Sequence, residues 1–184
     1  MSSELVIFLN ALVAAIRQGN MRDLKNIAND AIKEAALNND QKLAETAVLA
    51  YTFYKFYSKE HIIQNDRWPK VREIIVTSLE KSIQAELKNK DAHFTKNIRS
   101  VVKEIKVIDD RLSNYARNIY EKAQIKQAST AYALGLSIGQ SAFLTGADPK
   151  QLQMYIGATK IHDEQIIKKS LSERLTNLKE LLKE

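Results

Sequence analysis

The side chains with the clearest chemical potential in this chain are basic. Lys96, Arg99, Lys103 and Lys106 recur at intervals of three and four, the repeat that lines residues up along one stripe of a helix. Such a stripe is either an ordinary solvated face or a surface that neutralises the phosphates of a polyanion. A second group lies further along: Lys150, Gln151 and Gln153, with Lys160 just beyond. Gln and Lys bond to base edges and to phosphates, so the two groups together define an expected nucleic-acid interface. Nothing in them separates DNA from RNA.

Other chemistries fail on spacing or context. Gly135-Leu136-Ser137-Ile138-Gly139 spells the G-x-S-x-G string of a nucleophile elbow. An elbow needs a strand before the serine, whereas Ala131-Tyr132-Ala133-Leu134 has helical character, so Ser137 is not expected to be catalytic. His61, His93 and His162 are scattered and lack the partners three or four residues away that form a helical metal site. His162-Asp163-Glu164 and Asp109-Asp110 are runs of neighbours, which diverge on a helix instead of converging. The absence of Cys removes thiolate nucleophiles, disulfide frameworks and Fe–S clusters. The chain is therefore expected to be a non-enzyme, with no cofactor and no metal.

The elements that must position the basic groups are helices. Among 184 residues there are only 5 Gly and 2 Pro, too few for the turns of sandwiches and barrels, while 45% of the chain is hydrophobic. Lys and Arg exceed Asp and Glu by six, and the excess is concentrated: residues 1–60 balance, whereas 96–127 carry eight basic against four acidic residues. The apolar run from Leu5 to Ile16 follows Glu4 and lacks a basic flank. It is also shorter than the roughly 20 residues a membrane span needs, so a buried helix, no membrane contact and a cytoplasmic location are expected.

Boundaries follow from capping signals. A first helix is expected over 4–18, stopped by Gly19. Asn20 with Asp23 starts a second, whose apolar stripe is Leu24, Ile27, Ala28, Ala31, Ile32 and Ala35 and which closes at Asn38-Asn39-Asp40. A third runs from Gln41 to about Ser58, a polar loop follows through Asn65-Asp66, and Pro69 opens a fourth. Phe94, Ile98, Val101, Ile105, Ile108, Leu112, Tyr115 and Ile119 alternate by four and three, which predicts one long heptad helix with the basic stripe on its opposite face. Tyr51, Phe53, Tyr54, Phe56 and Tyr57 place five aromatics in seven residues, too many for one face of a helix. With Lys55 and Lys59 beside them they suit either base stacking or, as the expected role, packing between two halves of the bundle.

The C-terminal third differs in composition, since residues 128–146 contain no charge. Ala131, Gly135 and Gly139 stand four apart, which on one helix makes a small-residue face for another helix or a partner polypeptide. Ala142, Gly146 and Leu152 occupy the offsets of a helix-turn-helix, with Asp148, Pro149 and Gln151 at the N-cap, N1 and N3 positions of its second helix. Leu171, Leu175, Leu178 and Leu182 mark a final helix that packs in cis or pairs with a second copy.

The segment from Gln127 to Glu164 carries a resemblance. Its Tyr132-Ala133-Leu134-Gly135-Leu136-Ser137 run, Thr145-Gly146 turn and Tyr155-Ile156-Gly157-Ala158-Thr159-Lys160-Ile161 run resemble an archaeal family of all-helical proteins. The resemblance implies a defined helical unit there and brings no activity with it.

The sequence thus predicts an all-α protein: a helical bundle over 1–127, ending in the long heptad helix, and a C-terminal helix-turn-helix-like unit over 128–184, the two being either separate units or one continuous domain. The expected function is a non-enzymatic nucleic-acid-associated protein. The alternative is an interaction or adaptor protein, or a homodimer, in which the glycine face and the aromatic cluster bind polypeptide.

Overall fold

A computed structural model describes residues 4–111, the side chains of 109–111 excepted, and 118–158. The protein is all-α. Among the described residues there are nine helices and no strand: α1 (Glu4–Gln18), α2 (Met21–Asn38), α3 (Gln41–Tyr57), α4 (Glu60–Ile63), α5 (Trp68–Leu87), α6 (Asp91–Arg111), α7 (Ile119–Ala133), α8 (Ile138–Thr145) and α9 (Pro149–Ala158). No helix among them is long and apolar enough to cross a membrane.

The first three helices begin and end where their capping residues dictate. Gly19 takes φ +65 after α1, a left-handed conformation that costs a side-chain-bearing residue about 1–2 kcal/mol. The Asn20 side chain accepts from the Asp23 N–H to start α2. Asn39 is left-handed at its end, and Asp40 accepts from the Lys42 and Leu43 N–H groups to start α3. In the segment expected to be a polar loop, the short α4 forms instead. It buries Ile62, and its neighbour Ile63 packs against the same core.

α3 is the central helix. Leu43, Ala44, Ala47, Val48, Leu49, Ala50, Phe53 and Phe56 are buried around nearly its whole circumference, the pattern of a helix covered on several sides. Ala28, Ala31 and Ala35 of α2 meet this helix and lose all contact with water, because small side chains let the two backbones approach. The buried Thr46 and Thr52 hydroxyls donate to the Lys42 and Val48 carbonyls of their own helix, at 2.9 and 2.8 Å, and so are themselves satisfied.

The aromatic cluster divides. Phe53, Phe56 and Tyr57 turn inward, where Phe56 meets Phe53 and Trp68 edge-on with ring centres 5.9 and 6.0 Å apart, and Tyr57 meets Trp68 at 5.5 Å. The Tyr57 hydroxyl donates to the Ile16 carbonyl at the end of α1. Tyr51 and Tyr54 stay half-buried on another face of α3, beside Lys55.

α5 and α6 form a hairpin joined to α3 through Lys42. Its ammonium lies 2.8 Å from Glu86 and 2.7 Å from Asp91, and over the Phe94 ring at 4.9 Å. Burial works against this charge, but the two carboxylates outweigh it and hold the Lys42 pKa above its ordinary value. Phe94, Ile98, Val101 and Ile105 of α6 are buried as the heptad seam requires.

The long heptad helix does not run through to Ile119. Asn118 adopts φ 68 and Ile119 begins a separate helix, α7, so the seam residue at its end belongs to another element. Asn is the side chain, after Gly, that most readily takes the left-handed region, which is how a break arises without Gly or Pro. Leu112 and Tyr115 lie outside the described residues, as does the expected final helix with Leu171, Leu175, Leu178 and Leu182. The division between 127 and 128 falls inside α7, which packs on α2 and α3 as well as on α8 and α9.

Candidate functional site

Ala131, Gly135 and Gly139 do not form one helix face. α7 stops at Ala133, and Gly135 takes φ +110 in the turn that follows. There the Gly135 N–H donates to Tyr132 and the Leu136 N–H to Ala131, at 2.9 and 3.3 Å. This paired closure satisfies the last carbonyls of a helix and needs a left-handed residue, so the glycine ends the helix instead of lining it. Gly139 belongs to α8, where a β-carbon would meet only the Ser137 hydroxyl oxygen at 4.0 Å. Of the three, only Ala131 is buried in packing.

Ser137 is the N-cap of α8. Its hydroxyl accepts from the Gln140 N–H at 3.1 Å, and the Gln140 side chain accepts from the Ser137 N–H at 3.0 Å. This reciprocal pair is a capping box, the reason serine and glutamine stand three apart here.

The helix-turn-helix-like corner is formed by α8, three linking residues and α9. Gly146 is left-handed at φ 70, and the Ala147 N–H returns to the Ala142 carbonyl at 3.0 Å. Asp148 accepts from the Gln151 N–H at 2.8 Å and so caps α9 ahead of Pro149. Ala128, Ala142, Ala147 and Leu152 form a small separate core with Ile125, Ile138 and Ile156 packed against it. α7 thus serves as the third helix of the unit, a role its sequence does not announce. Lys150, Gln151 and Gln153 are all exposed on α9. Lys160 lies outside the described residues.

Lys96, Arg99, Lys103 and Lys106 are likewise exposed along α6. α6 packs on α5 and touches α7, while α9 packs on α7 and α8, so the stripe and the exposed residues of α9 stand on different helices with α7 as a shared neighbour. One stripe charge is partly engaged: burial raises the pKa of Glu45 on α3, and Arg99 offsets part of that rise. Tyr120 of α7 is buried beside the same carboxylate, and both its burial and that charge hold its hydroxyl well above the usual range.

A more concentrated basic site lies elsewhere. Tyr51 and Lys55 of α3, Lys59 just after it, Ile119, Lys122 and Lys126 of α7, and Tyr155 of α9 line a cleft of about 330 Å³. Four of its lining residues are lysines, and no Asp or Glu lines it among the described residues. Lys55 lies 5.3 Å from the ring centres of both Tyr51 and Tyr54, a distance at which a ring face attracts a cation. Burial lowers the Lys126 pKa, and the like charges of Lys55 and Lys25 lower it further. The Tyr155 hydroxyl is raised chiefly by burial, then by Tyr51, with Lys55 acting in the opposite sense. Sequence spacing holds half of this site: Tyr51, Lys55 and Lys59 are four apart, and Ile119, Lys122 and Lys126 are three and four apart. Lys55 and Lys59 were legible as neighbours of the aromatics. Lys122, Lys126 and Tyr155 were not, because only the packing of α7 and α9 against α3 brings them there.

Among the described residues no group of His, Cys, Asp and Glu is arranged to hold a metal ion. The class defined by the fold is an all-α helical protein with a three-helix corner. Comparison of the chain with protein-family models, with curated proteins and with solved structures finds no match.

Proposed function

We propose that this chain is a non-enzymatic, cytoplasmic nucleic-acid-associated protein. The observation that carries the reading is the α7–α8–α9 unit, whose turn of three residues leaves Lys150, Gln151 and Gln153 exposed on its last helix. In a helix-turn-helix that helix enters the major groove, with base edges in reach of its N-terminal side chains. Lys160 follows in sequence and lies outside the described residues. Lys96, Arg99, Lys103 and Lys106 supply a second run of cations for phosphates, and their place on α6 lets variants separate the two contributions.

Titration of labelled duplex DNA and structured RNA at two salt concentrations tests the reading. Binding should weaken steeply with salt, because each phosphate neutralised contributes about 0.9 to the logarithmic slope. The double variant Arg99→Ala with Lys103→Ala should reduce that slope by about 1.8 if both touch phosphate. Substituting Gln151 and Gln153 by Ala should instead flatten sequence preference and leave the slope nearly unchanged. Absence of binding to either nucleic acid at low salt would sink the proposal.

A second reading, that the unit docks a polypeptide, is favoured by Leu134, Phe143 and Met154, which are 50%, 70% and 75% exposed. It predicts a dimer or a stable complex in light scattering. A strictly monomeric chain that captures no partner counts against it.

A further inference from the structure

We propose that the cleft between α3, α7 and α9 is a binding site for a small ligand carrying a phosphate chain and a ring, of the nucleoside di- or triphosphate class. It is lined by Lys55, Lys59, Lys122 and Lys126 together with Tyr51 and Tyr155. This assignment does not depend on whether the corner reads nucleic acid.

The charge balance is the first ground. The four lysines line one cleft, and none of them forms an ion pair among the described residues. Like charges held together raise the free energy of the unliganded state, so an anion that neutralises them binds with a gain that scattered surface lysines do not offer. A single phosphate monoester carries at most about two negative charges and would leave half of the cluster uncompensated. A chain of two or three phosphates leaves fewer of the four lysines uncompensated. Lysine is suited to this task as a compact point charge with three rotatable donors.

Shape and apolar lining are the second ground. A volume of about 330 Å³ lies at the lower end of the range of small-molecule pockets. Ile119 and the side chains of Tyr51 and Tyr155 line the cleft among the lysines, with Lys55 5.3 Å from the Tyr51 ring centre, and both tyrosines are half-buried. A ligand that carries both phosphates and a flat ring meets both kinds of lining, since bases stack on aromatic side chains whatever their sequence. Half-buried Lys126 adds a further consistent sign: burial and then the charges of Lys55 and Lys25 lower its proton affinity, and an anion beside it would raise it.

Calorimetric titration of the full chain with ATP, inorganic triphosphate and adenosine provides the test. ATP should bind, inorganic triphosphate should bind about fivefold or more weakly, and adenosine should give no heat. Lys122→Ala with Lys126→Ala should weaken ATP about tenfold or more, while Lys103→Ala with Lys106→Ala on α6 should leave it unchanged. Tyr155→Leu should weaken ATP several-fold and leave triphosphate unaffected. If the paired alanine variant loses its helical circular dichroism, Lys122→Glu at the exposed rim takes its place with the same expected loss. Equal affinity for ATP and triphosphate would overturn the ring's part. Absence of binding by both, or equal loss from the α6 control, would overturn the site.

Discussion

A β-carbon placed on Gly146 would lie 2.8 Å from Gln124 Nε2, the same nitrogen that donates to the Thr145 carbonyl at 3.2 Å. The amide of α7 therefore occupies the space that the missing side chain leaves, and it ties α7 to the turn between α8 and α9. Gly146→Ala loses twice: the left-handed φ costs about 1–2 kcal/mol for a residue with a side chain, and Gln124 must give up its bond. The expected loss is about 1–3 kcal/mol in denaturant unfolding, with Gly146→Asn intermediate. An unchanged midpoint would show that the turn relaxes freely.

Gly139→Ala tests the opposite situation. A β-carbon added there would meet only the Ser137 hydroxyl oxygen, at 4.0 Å, and the residue belongs to α8, where Gly is up to about 1 kcal/mol less favourable than Ala. Thermal unfolding should therefore show no loss, or a small gain. A marked loss would restore the close helix contact that the four-residue spacing suggested.

Stability should depend on pH through Glu45. Burial raises its pKa and Arg99 offsets part of that rise. A carboxyl whose folded pKa exceeds its unfolded value of about 4.3 favours the fold below that pH, and this contribution is lost as pH rises through the folded value. Glu45→Gln should thus raise the melting temperature at pH 7, with the difference vanishing below about pH 4. Arg99→Ala should push the Glu45 titration still higher, as followed by carboxyl NMR. A Gln variant less stable than the parent at pH 7 would show that the pairing with Arg99 outweighs the burial.

Phe56 is fully buried, edge-on to both Phe53 and Trp68. Phe56→Ala should cost about 3–5 kcal/mol and change the near-ultraviolet signal of the single tryptophan, because the ring that orders it is gone. A loss below about 1 kcal/mol would mean that α4 and α5 collapse into the space left behind.

Local rules were sufficient for the ends of α1, α2 and α3. Gly19, Asn20 and Asp40 act on backbone groups within a few residues of themselves, so their effect is written in short stretches of sequence. The same holds for Asp148 at the start of α9 and for the α6 seam as far as Ile105. Periodicity misled where a break used a residue with more than one option. Gly135 fits a helix face and a helix end equally well by spacing, and the paired bonds back to Tyr132 and Ala131 decide for the end. Asn118 takes a conformation open to few side chains, and with it the expected long helix gives way to two.

What the sequence by itself determined was the all-α class, the capped helix ends and the helical spacing of each basic group, all consequences of interactions within one or two turns. Which basic groups meet was decided only by tertiary structure. Lys122 and Lys126 lie far from Tyr51 and Lys55 in sequence, and their shared cleft exists because α7 packs on α3 while also supporting α9. Long-range packing depends on the fit of many side chains at once, and no window of the chain contains that fit.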